Sequence, residues 1–282
     1  EAKRAVDTIQ KEISQLDQVL SIWRDDSEIS ALNNNKQGNV SAELFEVIAA
    51  CENWRDKTCG AFDARLGQLI TLWEQSQGVV KLDEVARAQV LNQLKADSVK
   101  LDAEQQSIAM DNAVKFTPDA YAKGYIIDRA LVAARKAVPS IEGLLVDIGG
   151  DIRVWGNAPQ KDGWKVGVQD AFVHTDNSAP QQVLSLKDQA IAFSGQGYRS
   201  LAGQTHLLDP KTGMPLQQVE QCVVVGTCAA DADALATALA AMTPSEGLEL
   251  IEALIGYEAK VTLTDGQVYQ SSGWNSLVQT PQ

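Results

Sequence analysis

The chain is short of several things, and each shortage removes a class of function. No apolar run reaches the roughly 18 residues that a membrane-crossing helix needs, so no such helix is expected. Basic residues are outnumbered 24 to 37, which leaves a formal charge of -13. That balance argues against nucleic acid or an anionic membrane as a bulk partner, while a phosphate-bearing small ligand can still be held locally. Histidine occurs only at His174 and His206, and neither belongs to an HExxH zinc pair. Cys51, Cys59, Cys222 and Cys228 lack zinc-site spacing, leaving disulfide pairings and free thiols both open. A dinucleotide fingerprint, a P-loop and a GxSxG nucleophile elbow are all missing. No signal-peptide pattern is present, and the opening EAKRAVDTIQ lacks an initiator Met, so the chain is read as mature or trimmed.

What is present suits an α+β fold. The 282 residues are expected to form a single domain, 1–282, with a mainly antiparallel sheet and flanking helices. Val6, Ile9, Ile13, Leu16 and Leu20 follow helical spacing over 2–20. Asp26 or Ser27 can cap a short helix, and Ser41 a longer one with Leu44, Val47, Ile48, Cys51 and Trp54 buried. A helix capped by Asp83 follows, then a strand pair, SVKLD and SIAMD, joined by AEQQ. A long helix is expected after Pro118. From Leu144 the chain turns to short strands punctuated by Gly149-Gly150, Gly156 and Asp162-Gly163. VEQCVVVGT then leads into the alanine-rich helix AADADALATALAAM, before a further helix and a C-terminal strand pair.

Four stretches carry candidate chemistry. In the alanine-rich helix, Asp233 and Thr237 stand four residues apart on one face, where two oxygen donors can hold a hard cation such as Mg2+. The plainer alternative is that Asp231 caps the helix and Asp233 favours its positive end. In AYAKGYIID, Lys123 and Gly124 open a helix whose free N–H groups suit an anion, or they are a surface lysine beside a packing glycine. In VDIGGDIRVWG, the paired glycines allow a close backbone approach or simply a tight hairpin turn. The loop FSGQGYRSLAGQTHLLDPKTGMP is long, polar and glycine-rich, and it places His206 beside an Asp-Pro-Lys-Thr-Gly turn. His174, in a polar loop, carries no assignment.

Seven pieces in order resemble the FAD:protein FMN transferases, the ApbE family, formerly called thiamine-biosynthesis lipoproteins. They are LSIWRDDSEISALN, FDARLGQLITLW, AKGYIIDRA, GGDIRVWG, SGQGYRS, THLLDPKTGMP and ADADALATAL, and they span almost the whole chain. The resemblance implies Mg2+-dependent cleavage of the FAD pyrophosphate, transfer of FMN to a Thr or Ser hydroxyl of a target protein such as a redox membrane-complex subunit, and release of AMP. By position, Asp233, Thr237 and the main-chain carbonyl of Ala120 would hold Mg2+, Lys123 would meet FAD phosphate, and His206 would face the reacting phosphoryl group. Trp23, Asn33 and Trp73 would line the flavin or adenine pocket, with Ser194 and Gly195 in the same wall. Thr117 stands where many members have an acid contacting FAD. Arg65 and Gln68 replace a common Thr and Pro, and the usual N-terminal Met-Gly-Thr strand is not seen. The resemblance further implies a periplasmic or extracytoplasmic location, with a lipid anchor common on full-length precursors. The competing readings are an FAD pyrophosphatase and a degenerate flavin-binding protein without catalysis. Within the proposed site, Asp233 is taken as the metal ligand and Asp231 as the cap.

Overall fold

The computed structural model describes residues 1–75, 83–96, 98–159, 163–173, 178–196, 200–201, 204–205 and 207–279, with only the backbone course described at 200–201 and 204–205. His206, assigned above to the reacting phosphoryl group, lies outside the described residues, as does His174.

The first half is helical. Helices α1 (Ala2–Leu20), α2 (Glu28–Asn35) and α3 (Ala42–Lys57) follow one another, with β1 (Gln37–Asn39) between the last two. Ser27 and Ser41 are the caps, accepting from the N–H groups of Ser30 and Leu44. The α3 face is buried at the five positions its spacing indicates. In α1 the stripe is shifted: Ala5 is buried and Val6 is 50% exposed. Ala5 packs with Ala134 of a later helix and with Val138 just past that helix's end. Helices α4 (Gly67–Gln75) and α5 (Glu84–Ala96) come next, the latter capped by Asp83 through the Val85 and Ala86 N–H groups. Strands β2 (Val99–Asp102) and β3 (Ser107–Met110) pair as expected, and β1 joins them as a third strand.

The second half builds the central sheet. Helix α6 (Asp119–Ala137) leads to β4 (Gly143–Ile148) and β5 (Asp151–Gly156), then to the ribbon of β6 (Trp164–Val168) and β7 (Gln182–Leu186). Next come β8 (Ala190–Gly195), the short pair β9 (Ser200–Leu201) and β10 (Gln204–Thr205), and β11 (Val219–Gly226). Helix α7 (Ala229–Ala240), α8 (Pro244–Glu252), β12 (Glu258–Leu263), β13 (Val268–Gln270) and α9 (Trp274–Leu277) complete the order. The six-stranded sheet runs β13-β12-β11-β8-β5-β4, and every described pairing in it is antiparallel.

Both sheet faces are covered, so its central strands read as apolar runs rather than alternating ones. Cys222, Val224 and Ala192 face the helices, while Val223, Val225 and Ile191 pack with the ribbon and the fully buried Trp274. Alternation along β5 and β8 therefore points Asp151, Arg153 and Ser194 toward α6 and α7. The four cysteines are free thiols, and burial pushes the Cys228 thiol up to about 12. Among the described residues, no helix is long and apolar enough to cross a membrane.

Candidate functional site

The site forms where α6 crosses the start of α7 above β5 and β8. Gly124 makes the crossing possible. A Cβ there would lie 2.2 Å from the Ala229 carbonyl oxygen, so the two helix backbones touch. Gly124→Ala is accordingly expected to cost upwards of ~3 kcal/mol through overpacking against backbone. A melting temperature unchanged from wild type would refute that close contact. The packing role suggested for this glycine is real, and it sets the neighbouring Lys123 beside the acids.

Asp233 is 2% exposed, and its Oδ2 accepts from the Gly124 N–H at 3.4 Å. Lys123 Nζ is 4.0 Å from Asp233 Oδ1 and 2.7 Å from Asp151 Oδ2. The other oxygen of Asp151 accepts from the Phe193 N–H at 3.0 Å. Burial drives the Asp233 pKa well above the ordinary carboxylate range, and the Asp151 charge raises it further; Lys123 and the Gly124 N–H only partly offset this, while Asp119 adds to it. Asp151 is also raised, again by burial first, with Lys123 opposing. Among Asp119, Asp151, Asp233 and Lys123, carboxylates outnumber the ammonium. One turn along α7 from Asp233, the Thr237 hydroxyl lies 3.1 Å from that of Ser194.

These groups, among the described residues, set hydroxyl oxygens beside two buried carboxylates and one ammonium, which fits a hard cation. Among the described residues, no three His, Cys, Asp or Glu side chains converge to hold a metal. A cation here would therefore draw on hydroxyl and carbonyl oxygens beside Asp233, which suits Mg2+ far better than zinc.

The other residues singled out in the sequence take definite places. Asn33 clamps residue 116 from both sides, donating to the Phe116 carbonyl at 2.9 Å and accepting from its N–H at 2.7 Å. The Thr117 N–H donates to the Ala64 carbonyl at 2.7 Å. Together these straps fix the entry to α6, and with it half-buried Ala120 and Lys123. Trp73 is buried and donates through Nε1 to the Gly213 carbonyl at 2.9 Å, tying α4 to the turn that follows residue 206. A Cβ on Gly195 would lie 2.2 Å from the Glu220 carbonyl oxygen, so this glycine lets β8 and β11 pair closely. Trp23 stands in the turn between α1 and α2 and is 72% exposed. Arg65 is absorbed by a two-pronged pair with Asp63 at 2.9 and 2.7 Å, and Gln68 donates to the Asn112 carbonyl at 2.8 Å.

Two corrections concern acids. Asp231 does not cap α7: its oxygens accept from Trp54 Nε1 at 2.7 Å and from the Tyr257 hydroxyl at 3.1 Å. Residues two apart on a helix point nearly opposite ways, so Asp233 faces the site while Asp231 braces α3 and the residue just before β12. Sequence reasoning also passed over Asp151. Its signal was an acid opening an apolar strand directly after Gly149-Gly150. Both glycines have positive φ, 62° and 94°, and a Cβ on either would meet nothing within 4 Å. They therefore make a tight hairpin turn, which delivers Asp151 to the site.

A helix-backed antiparallel sheet carrying a cluster of two buried carboxylates, a lysine and two hydroxyls is the frame of the site. A model of the ApbE family matches residues 2–261, and the chain belongs to that family. The Vibrio cholerae protein named FAD:protein FMN transferase is 30% identical, across 87% of this chain and 77% of its own length. The Treponema pallidum protein of the same name is 27% identical, across 97% and 81%. Among solved structures, the ApbE protein of Thermotoga maritima superposes with a TM-score of 0.87 at 25% identity, covering 99% of this chain and 92% of that one. The flavin transferase ApbE from Vibrio cholerae has the same fold, with a TM-score of 0.82 at 24% identity over 98% and 91% of the two chains.

Proposed function

We propose that the protein is a Mg2+-dependent FAD:protein FMN transferase. The observation that carries this reading is Asp233, buried amid excess negative charge one helical turn from the Thr237 hydroxyl. The family membership and the names of its relatives support the substrate class.

Asp233, Thr237 and the carbonyl of Ala120 would hold Mg2+, which when bound supplies charge neutralisation for the FAD pyrophosphate. The chain's own residues do the rest. Asp151 holds the Lys123 ammonium at 2.7 Å, so the lysine meets phosphate as a fixed point charge rather than a mobile one. Ser194 orients the Thr237 hydroxyl from β8. The Asn33 and Thr117 straps hold the entry to α6 in place, which fixes Lys123 before substrate arrives. In the reaction the acceptor Thr or Ser oxygen bonds to the FMN phosphorus, the pyrophosphate P–O bond breaks, and AMP leaves. His206, which the resemblance sets facing the reacting phosphoryl group, would either take the acceptor's proton or orient the phosphate while water takes the proton.

The test incubates the protein with FAD, Mg2+ and a Thr-containing acceptor domain, and follows AMP together with acceptor mass. FMN on the acceptor with matching AMP, lost on adding EDTA, is the expected result. AMP without acceptor modification would make the protein a pyrophosphatase instead. No AMP at all would overturn both enzymatic readings.

A further inference from the structure

One carboxylate at the crossing has no part in the chemistry above. Asp128, on α6, accepts from the N–H groups of Ala229 and Ala230 at 3.0 and 3.1 Å, and also from the Arg153 guanidinium. We propose that Asp128 is a positioning residue, which fixes α7 against α6 and β5 so that Asp233, Lys123 and Asp151 meet.

The first N–H groups of a helix have no partner within it. An N-cap Ser, Thr, Asp or Asn satisfies them locally, as Ser27, Ser41 and Thr243 do here. Here the N-cap is Cys228, which makes no side-chain cap bond despite its extended backbone. The cap comes instead from a different helix. A local cap would stabilise α7 wherever α6 lay, whereas a cap from Asp128 is satisfied at one relative position only. Gly124, one turn earlier on α6, touches the same residues, Ala229 and Ala230. Asp233, one turn along α7 from Ala229, closes the contact by accepting from the Gly124 N–H. The two helices are thus pinned at three points within about one turn of each other.

The link to β5 has the same character. Asp151 and Arg153 alternate along that strand and face α6 together. They pair with Lys123 and Asp128 in opposite senses: helix cation with strand anion, then helix anion with strand cation. Sliding α6 along β5 would bring like charges together, so the pairs lock the register. One carboxylate therefore joins the three elements that carry Lys123, Asp151 and Asp233.

The test separates positioning from mere helix capping. Asp128→Asn keeps the side-chain shape but cannot accept from two N–H groups and a guanidinium at once. Cys228→Ser, added to it, restores an ordinary N-cap to α7. Asp128→Asn is expected to lower the melting temperature and, below that temperature, to reduce kcat at least about tenfold. The double variant is expected to regain melting temperature but not kcat, with Mn2+ affinity, read by electron paramagnetic resonance, still about tenfold weaker than wild type. Recovery of kcat and Mn2+ affinity along with melting temperature would reduce Asp128 to a cap and overturn the proposal, as would wild-type behaviour of Asp128→Asn.

If Asp128→Asn does not fold, Arg153→Met leaves the cap and cuts the link to β5; unchanged Mn2+ affinity in that variant would overturn the proposal, and a several-fold loss would support it. The proposal rests on the Mg2+-dependent transferase reading for its kcat and Mn2+ assays, and not for amide exchange. Wild-type protein without FMN transfer would sink that reading alone, because amide exchange across residues 122–126 reports the alignment with no ligand present. Faster exchange in the double variant than in wild type supports positioning, and equal exchange overturns it.

Discussion

Asp233→Asn is expected to abolish FMN transfer, by about a thousandfold or more, and to raise the melting temperature of the metal-free protein. The two effects share one cause. Asp233 is buried, and Asp151 and Asp119 add to the penalty on its charge. An amide of the same shape still accepts from the Gly124 N–H but carries no charge to desolvate. It also cannot balance a cation.

The pH dependence follows from the raised pKa. The folded state holds the Asp233 proton more tightly than the unfolded chain does. Its ionisation therefore destabilises the metal-free fold progressively as pH rises from the ordinary carboxylate range up to the folded-state value, and by a constant amount above it. The stability gain of Asp233→Asn should be absent in acid and largest above the raised pKa. Metal binding needs the ionised form, so Mn2+ affinity of the wild type should fall about tenfold per pH unit below that value, with proton release on binding. Calorimetry at two pH values in two buffers of different ionisation enthalpy measures both. A variant that keeps transfer activity, or wild-type metal affinity that ignores pH, would remove Asp233 from the site.

Such a trade of stability against function is what a poised site predicts. Legibility in the sequence follows a different rule, locality. Helix α3 and the strand pair β2–β3 were readable because periodicity and capping are local. The Asp233–Thr237 face was readable for the same reason, since four residues on a helix make a geometry by themselves. Asp231 was misread because an acid in the first turn is a good cap by local rules. Its actual partners, Trp54 and Tyr257, are 177 and 26 residues away. Asp151 and Asp128 escaped notice on the same ground: their chemistry lies in pairings between α6, β5 and α7 that no spacing records. Asn33 adds a case of its own: the resemblance implies that it lines the flavin or adenine pocket, and its amide also clamps the backbone of Phe116, 83 residues away, a role no local pattern records.

Asp151→Asn carries the second large effect, an expected fall in kcat of about 30- to 100-fold. Asp151 is 1% exposed, and its two oxygens divide their work between the Phe193 N–H and the Lys123 ammonium. The amide can keep the first partner through its oxygen, but its NH2 then faces the ammonium, donor against donor. Lys123 is released from its 2.7 Å contact with Asp151, and Asp233, at 4.0 Å, is an anion it can move toward. A lysine paired with Asp233 competes with a cation for the same charge and leaves the phosphate position. The loss should therefore appear in Mn2+ affinity as well as in kcat. Lys123→Met provides the control. If Asp151 acts through the lysine, the pair Asp151→Asn with Lys123→Met should be no slower than Lys123→Met alone, a strongly non-additive cycle. Additive losses would mean that Asp151 acts on its own account, for instance on the substrate. A wild-type kcat for Asp151→Asn would show that Lys123 needs no anchor, and the fixed point charge would have to be abandoned as the source of phosphate binding.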